Sequence, residues 1–212
     1  RTGLVDLLPP SPYPETVSSF WLTDSFSSRE PLQGEQDCSI IVLGGGFVGV
    51  AAAYYLARKG CDVVLLEKGS LGEGATGRST GFLLNGIHHY YSKSKEVHGP
   101  EKTKTLWTLT QQNFSLLEEL LQKENISCGY HKTGSYRAAR TEAEAGVLRE
   151  TVRQLQQDHF PAEIKSLPGF SAAGFFPEDG MFDPVLFTRE LAKAAERNGA
   201  RIYEKSKVLS VR

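Results

Sequence analysis

Short apolar runs alternate with glycine clusters after residue 36, and longer stretches with helical spacing follow. Residues 38–43, Cys-Ser-Ile-Ile-Val-Leu, form a β-branched run that stops at glycines, which predicts a buried parallel strand. Six residues from Gly44 to Gly49 intervene before residues 50–59, whose Ala, Tyr and Leu content predicts a buried helix. Gly60 then stands where a helix C-terminus favours a left-handed residue. Residues 62–67, Asp-Val-Val-Leu-Leu-Glu, predict a second buried strand. Strand, glycine turn, helix and strand in 30 residues make a βαβ unit, for which the crossover is right-handed.

Further along, residues 69–86 are dense in Gly, Ser and Thr and read as a functional loop, and the charged stretch 93–101 as a solvated loop. Residues 104–125 repeat apolar positions at helical spacing (Leu106, Leu109, Leu116, Leu117, Leu120, Leu121). Residues 130–139 read as a strand containing one glycine. Thr141 with Glu144 forms a capping box for a helix reaching about residue 158. Asp183 and Pro184 supply an N-cap and a first-turn proline for a helix ending near Asn198, with Gly199 after it. Residues 201–211 read as one or two strands. The first 36 residues hold Pro9, Pro10, Pro12, Pro14 and Pro31, lack a helix period, and read as an extended arm.

Composition narrows the class. A chain of 212 residues suits one large domain or one and a half small ones. A net charge of −1 gives no electrostatic case for nucleic acid or an anionic membrane as a main partner. No apolar run reaches the roughly 18 residues of a transmembrane helix. Cys38, Cys61 and Cys128 have neither CxxC nor metal-ligand spacing, so reduced structural thiols, no metal site and a cytoplasmic location are expected. The chain begins with Arg1 rather than Met and ends just after a strand-like run, so a fragment of a longer protein is expected. A mitochondrial address therefore stays open, although no Arg-rich amphipathic presequence is visible.

The chemistry concentrates in the glycine turn. Gly44-Gly45-Gly46-Phe47-Val48-Gly49 satisfies G-x-G-x-x-G in the context that gives this pattern meaning. Gly44 permits the tight turn, Gly46 lets a pyrophosphate approach the backbone, and Gly49 lets the helix pack closely on the sheet. The helix then offers free N–H groups and its positive dipole end to phosphate. Glu67, 18 residues after Gly49, suits both hydroxyls of an adenosine ribose and repels a 2′-phosphate, an effect that Lys68 softens. This unit alone does not choose between NAD and FAD.

The following segment supplies a resemblance. Gly74-Ala75-Thr76-Gly77-Arg78-Ser79-Thr80-Gly81 is similar to the second flavin loop of the D-amino-acid-oxidase-like family of FAD-dependent oxidoreductases, which includes glycine oxidase, sarcosine oxidase and γ-glutamylputrescine oxidase-like enzymes. Three more stretches match the same family. Gly180-Met181-Phe182-Asp183-Pro184, with the helix and Gly199-Ala200-Arg201-Ile202-Tyr203-Glu204 after it, resembles the family's return to the cofactor domain. Residues 131–139 resemble the first strand of its substrate domain, and Ser19-Phe20-Trp21 a motif preceding the flavin domain.

The resemblance runs in order over residues 38–212 and implies an α/β architecture. A Rossmann-like FAD-binding domain is interleaved with a smaller mixed-sheet substrate domain, incomplete here. It divides the chain into an arm (1–36), the βαβ unit and second flavin loop (37–90), part of the substrate domain (91–180) and a return to the FAD domain (181–212). The cofactor residues implied are Gly44, Gly45, Gly46, Phe47, Val48, Gly49, Glu67, Lys68, Thr76, Gly77, Arg78, Ser79, Thr80 and Gly81, with the backbone of Val208 at adenine. Thr76, Ser79 and Thr80 carry hydroxyl donors, and Arg78 adds charge.

Some members attach flavin covalently through a His of this loop; Arg78 occupies the matching position, which implies non-covalent FAD. The implied reaction passes a hydride from the carbon bearing an amine or amino-acid nitrogen to flavin, with oxygen or another acceptor reoxidising it. The family's substrate-contacting residues lie mostly in a C-terminal half, so no catalytic residue is assigned; His88 and His89, just past the flavin loop, read more simply as part of a polar loop or edge strand. Another two-dinucleotide-binding flavoprotein and a non-catalytic FAD-binding module remain as alternatives. A disulfide reductase would carry CxxxxC soon after the first helix, and this chain does not.

Overall fold

The computed structural model describes residues 19–22 and 26–211; the expectation for the first part of the arm lies outside them. After a single 3₁₀ turn at Phe20–Leu22, the chain runs β1 (Ile40–Leu43), α1 (Phe47–Arg58), β2 (Val63–Leu66), a 3₁₀ turn at Thr76–Arg78, and β3 (Phe82–Leu83). It continues with α2 (Tyr91–His98), α3 (Pro100–Glu124), β4 (Ser135–Ala139), α4 (Glu142–Gln157), β5 (Glu163–Lys165) and β6 (Ala172–Phe176). The last elements are β7 (Gly180–Met181), α5 (Pro184–Arg197) and β8 (Arg201–Tyr203). The result is the mixed α/β class that the sequence predicts. The chain divides into two compact units, one comprising Arg1–Thr80, Ile126–Cys128 and Asp183–Arg212, the other Gly81–Asn125 and Gly129–Phe182.

The first unit is a parallel sheet of order β1-β2-β8. Ile40 pairs with Val63 and Leu43 with Leu66, while Leu65 pairs with Ile202. Helix α1 turns Val50, Ala53, Tyr54 and Ala57 inward, and α5 answers with Val185, Phe187, Leu191 and Ala195. Small residues on both helices let their axes approach closely, and the Phe47 and Phe187 rings meet at 5.3 Å. Asp183 caps α5 by accepting from the amides of Val185 and Leu186, and Pro184 follows at a position that needs no N–H donor. Gly60 and Gly199 both take positive φ past their helices, at +80° and +98°.

The second unit holds an antiparallel sheet of order β4-β6-β5 and a short β3–β7 pair. Its core gathers Tyr91, Trp107, Val152, Leu155, Phe160 and Phe176. The capping box at Thr141 and Glu144 forms as the sequence predicts.

Several expectations need correction. A helix, α2, occupies most of the stretch read as a solvated loop. Its buried positions are Tyr91 and Ser94, the latter hydrogen-bonded to Thr103, so the anchoring face shows almost no apolar period. Strand β4 begins only at Ser135, because Gly134 takes φ +70° against the Phe175 ring. Strands β5, β6 and β7 have no counterpart in the sequence reading; β6 is Ala-Ala-Gly-Phe-Phe, without alternation. β8 stops at Tyr203 instead of running on to residue 211: Lys205 turns to φ +50°, and no described strand pairs with the residues beyond.

Candidate cofactor site

The site grows from the link between β1 and α1 in the first unit. Gly44 ends β1 with its amide on the Leu66 carbonyl at 2.9 Å and takes φ +102°, which turns the chain sharply. Gly45 is held on both sides: its N–H donates to Glu67 Oε2 at 2.6 Å, and its carbonyl accepts from Gly72 at 3.0 Å. A Cβ there would lie 2.2 Å from Leu71 Cδ2, so Gly45 is needed for the turn to seat on the fully buried Leu71. Gly49 sits against the end of the loop and, 3.5 Å from its would-be Cβ, against Val42 of β1. Its Cβ would stand 2.0 Å from the Gly44 carbonyl oxygen, so its bareness lets the first turn of α1 close on the loop itself.

Gly46 caps α1 in an extended conformation, φ −79° and ψ 179°, which any residue adopts. Its lack of a side chain is therefore not a backbone requirement. What it leaves is open space before the first turn of α1, bordered by Thr76 Oγ1 at 3.1 Å from the would-be Cβ. Thr76 Oγ1 accepts from the Phe47 amide at 3.0 Å, and its own proton stays available. The amides of Gly46, Val48 and Gly49 find no acceptor among the described residues. They are the orphan donors that a helix start presents to an anion. Val48 is 77% exposed.

Glu67 follows β2 and points at this turn. Besides Gly45, it accepts from the Gly69 amide at 2.8 Å through Oε1. An ionised carboxylate offers about four acceptor positions, so two remain for hydroxyls. Its backbone carbonyl receives the Ser206 amide at 2.8 Å, which fixes the segment leading to Val208. Val208 is half-buried, and its peptide groups have no partner among the described residues. Lys68 and Arg78 are exposed.

The second loop is pinned from outside. The Trp21 indole Nε1 donates to the Ser79 carbonyl at 2.9 Å, and the Ser19 hydroxyl donates to the Gly77 carbonyl. Gly77 is buried, its would-be Cβ 2.6 Å from the Gly72 carbonyl oxygen. Ser79 and Thr80 are exposed. Gly81, φ +74°, opens the second unit, where its carbonyl accepts from Phe182 at 2.9 Å.

Glu204, the last residue of the 199–204 stretch, has a role that the sequence does not assign. It is 1% exposed and accepts from the amides of Leu71 and Arg29, each at 2.6 Å. It thereby anchors the turn carrying Leu71 under Gly45. Apart from the resemblance of the 199–204 stretch, its sequence signal is an acid directly after a short apolar strand.

The turn, its free amides and the carboxylate facing it fit a dinucleotide: a side-chain-free gap for the diphosphate, donors for its charge, and acceptors for a ribose. Among the described residues no group of three or more His, Cys, Asp or Glu is placed to hold a metal ion. No described helix is long and apolar enough to cross a membrane.

Comparison with known proteins agrees with the geometry. The family model described as FAD dependent oxidoreductase (DAO) matches residues 39–212. A probable oxidoreductase OrdL of Haemophilus influenzae is 28% identical over 216 residues, covering 94% of this chain and 49% of that protein. The γ-glutamylputrescine oxidoreductase of Escherichia coli is 25% identical, with 93% of this chain and 49% of that protein covered. The chain thus spans about half the length of these relatives. Among solved structures, glycine oxidase from Geobacillus kaustophilus superposes with a TM-score of 0.69 at 24% identity, over 81% of this chain and 48% of that one; the likeness shows the fold.

Proposed function

The chain belongs to the FAD-dependent oxidoreductase family, and on that premise we propose that the turn from Gly44 to Gly49 holds the FAD diphosphate and Glu67 the adenosine ribose. The observation that carries this reading is the pairing of free amides at Gly46, Val48 and Gly49 with the Glu67 carboxylate directed at the same turn. The amides neutralise phosphate charge without a basic side chain. Thr76 and the backbone around Gly77 line the diphosphate, and Arg78, Ser79, Thr80 and Gly81 continue the loop toward the flavin. The peptide groups of Val208 suit the adenine edge. Lys68, beside Glu67, adds positive charge at the ribose end.

Bound FAD supplies the two-electron acceptor for oxidising the C–N bond of a small amine or amino acid, the class named by relatives such as γ-glutamylputrescine oxidoreductase and glycine oxidase. This chain's residues bind and orient the cofactor, and oxygen or another acceptor completes the cycle. Arg78 stands where a tethering His would, which supports non-covalent attachment. No disulfide joins Cys38, Cys61 or Cys128, which supports a reducing compartment, taken to be the cytoplasm with the mitochondrial matrix as the alternative.

The test uses the full-length protein. It is expected to purify with absorbance near 450 nm, to release the colour on acid precipitation, and to consume oxygen or a dye acceptor with members of an amine and amino-acid panel. Colourless protein that takes up no added FAD would overturn the reading; colour retained in the denatured pellet would overturn non-covalent attachment.

A further inference from the structure

Helix α5 carries a cation that the fold leaves unpaired. Arg189 is half-buried, and its guanidinium carbon lies 4.1 Å above the centroid of the Phe26 ring. Its Nε is shut off from solvent and finds no acceptor. A buried donor of this kind destabilises a fold, because the water it gave up is not replaced. Burial pushes the pKa of the guanidinium down, with Glu204 pulling the other way. The nearby carboxylates are engaged elsewhere. Glu196 turns both oxygens to Arg29, at 2.6 and 2.8 Å. Glu190 holds Lys193 at 2.6 Å. Glu204 gives its oxygens to the amides of Leu71 and Arg29, and Glu73 accepts from the Ser70 amide at 2.8 Å. Of the five N–H donors of a guanidinium, those of Arg189 reach no hydrogen-bond acceptor among the described residues.

Arg189 shares the wall of a cavity of about 260 Å³ with Phe26, Ser27, Ser28 and Arg29 of the arm and with Lys193, one turn further along α5. All of them belong to the first unit. The arm side of the wall is anchored at three points. The Arg29 amide donates to Glu204, the Arg29 side chain grips Glu196, and the Leu32 amide donates to Ser206 Oγ at 2.9 Å. Lys193 gives one of its three N–H donors to Glu190. Ser27 and Ser28 are exposed, and the Ser28 hydroxyl makes only a long bond to the Arg29 carbonyl, at 3.3 Å. The cavity therefore combines an unpaired guanidinium, a second cation with spare donors, and two hydroxyls.

We propose that this cavity binds a phosphate monoester, with the phosphoryl group on Arg189 and with Lys193 and the arm serines around it. A planar guanidinium takes two oxygens of an oxyanion in parallel. Lys193 then adds a point charge, and the serines add donors from the opposite element. That set exceeds what the two oxygens of a carboxylate can use, whereas a phosphoryl group brings three strong acceptor oxygens and a charge of about −1.5 to −2. The volume is several times that of a water molecule, about 30 Å³, which leaves room for the alcohol that the phosphate esterifies. None of these residues belongs to the turn assigned to FAD.

Calorimetric titration of the full-length, FAD-loaded protein tests this, because bound cofactor occupies the amides of the glycine turn. The probes are glycerol 1-phosphate and inorganic phosphate, set against glycerol and acetate. Glycerol 1-phosphate is expected to bind saturably and about tenfold or more tightly than acetate, with no binding of glycerol. Arg189→Met, which keeps an aliphatic stem against Phe26, is expected to weaken glycerol 1-phosphate about tenfold or more with bound flavin unchanged. Lys193→Gln, at a side chain 59% exposed, is expected to weaken it about threefold. Acetate binding as tightly as glycerol 1-phosphate, saturable binding of inorganic phosphate alone, or undiminished affinity in Arg189→Met would overturn the proposal. Should Arg189→Met fail to fold, the comparison of probes in the unaltered protein and in Lys193→Gln decides: equal affinities for glycerol 1-phosphate in those two proteins would overturn the proposal as well.

Discussion

Replacing Glu67 by Gln keeps the side chain's shape and removes its charge, which separates the two jobs that the geometry gives it. Its carboxylate holds the Gly45 amide at 2.6 Å and the Gly69 amide at 2.8 Å. Hydrogen bonds to a charged group contribute about 1.5–3 kcal/mol each. Gln retains one acceptor oxygen but turns an amino group toward the other N–H, so one bond is lost, donors are opposed, and the survivor loses its charge. The expected cost to folding is about 2–4 kcal/mol, because the two losses are not additive. Ribose hydroxyls lose a charged acceptor at the same time, and the turn presenting the phosphate-binding amides is looser. FAD affinity is expected to fall about 10- to 100-fold. Thermal melts of FAD-stripped protein and quenching of flavin fluorescence during titration read the two effects separately. A lower melting temperature with unchanged FAD affinity would reduce Glu67 to a structural clamp, and no change in either would refute the reasoning outright.

Three further outcomes follow from single contacts. Gly49→Ala places a methyl 2.0 Å from the Gly44 carbonyl oxygen, and overpacking of this kind costs about 1–3 kcal/mol; the variant is expected to melt lower and hold less FAD, and wild-type behaviour would show that the turn relaxes freely. Trp21→Ala removes the bond to the Ser79 carbonyl, so FAD is expected to bind about tenfold more weakly through a loosened second loop; an unchanged Kd would detach the arm from the site. Asp158 is held below the usual carboxylate range, first by Lys95 at 2.5 Å and also by the Tyr91 hydroxyl at 2.8 Å. A depressed carboxylate stabilises fully above its unfolded pKa, about 3.9, and loses that contribution as pH falls through the lower folded value. Asp158→Ala is therefore expected to cost about 1–3 kcal/mol near pH 7 and to flatten the acid limb below about pH 4; denaturant melts from pH 3 to 7 with an unaltered acid slope would contradict this.

What could be read from the sequence was local. The βαβ unit, the capping box at Thr141 and the Asp183-Pro184 start declare themselves through residues within a few positions of one another. The glycine turn was legible as a pattern, yet the neighbours that make Gly45 and Gly49 necessary, Leu71 and the Gly44 carbonyl oxygen, emerge only from the folded turn. Helix α2 stayed hidden because Ser94, an unremarkable polar residue in sequence, is fully buried against Thr103. Glu204 closes a family-like stretch, but its role was not legible because its partners are the amides of Arg29 and Leu71, at least 133 residues away.

The most direct measurement is the flavin content of full-length Gly46→Val beside the unaltered protein, by absorbance and by chromatography of the released cofactor. Gly46 has ordinary extended backbone angles, φ −79° and ψ 179°, so the added side chain strains no backbone and meets only Thr76 Oγ1, 3.1 Å from its Cβ, while filling the gap before the free amides; circular dichroism checks the fold. The unaltered protein is expected to carry close to one FAD per chain and the variant essentially none. A folded variant with its flavin intact would contradict the assignment of this turn to the diphosphate.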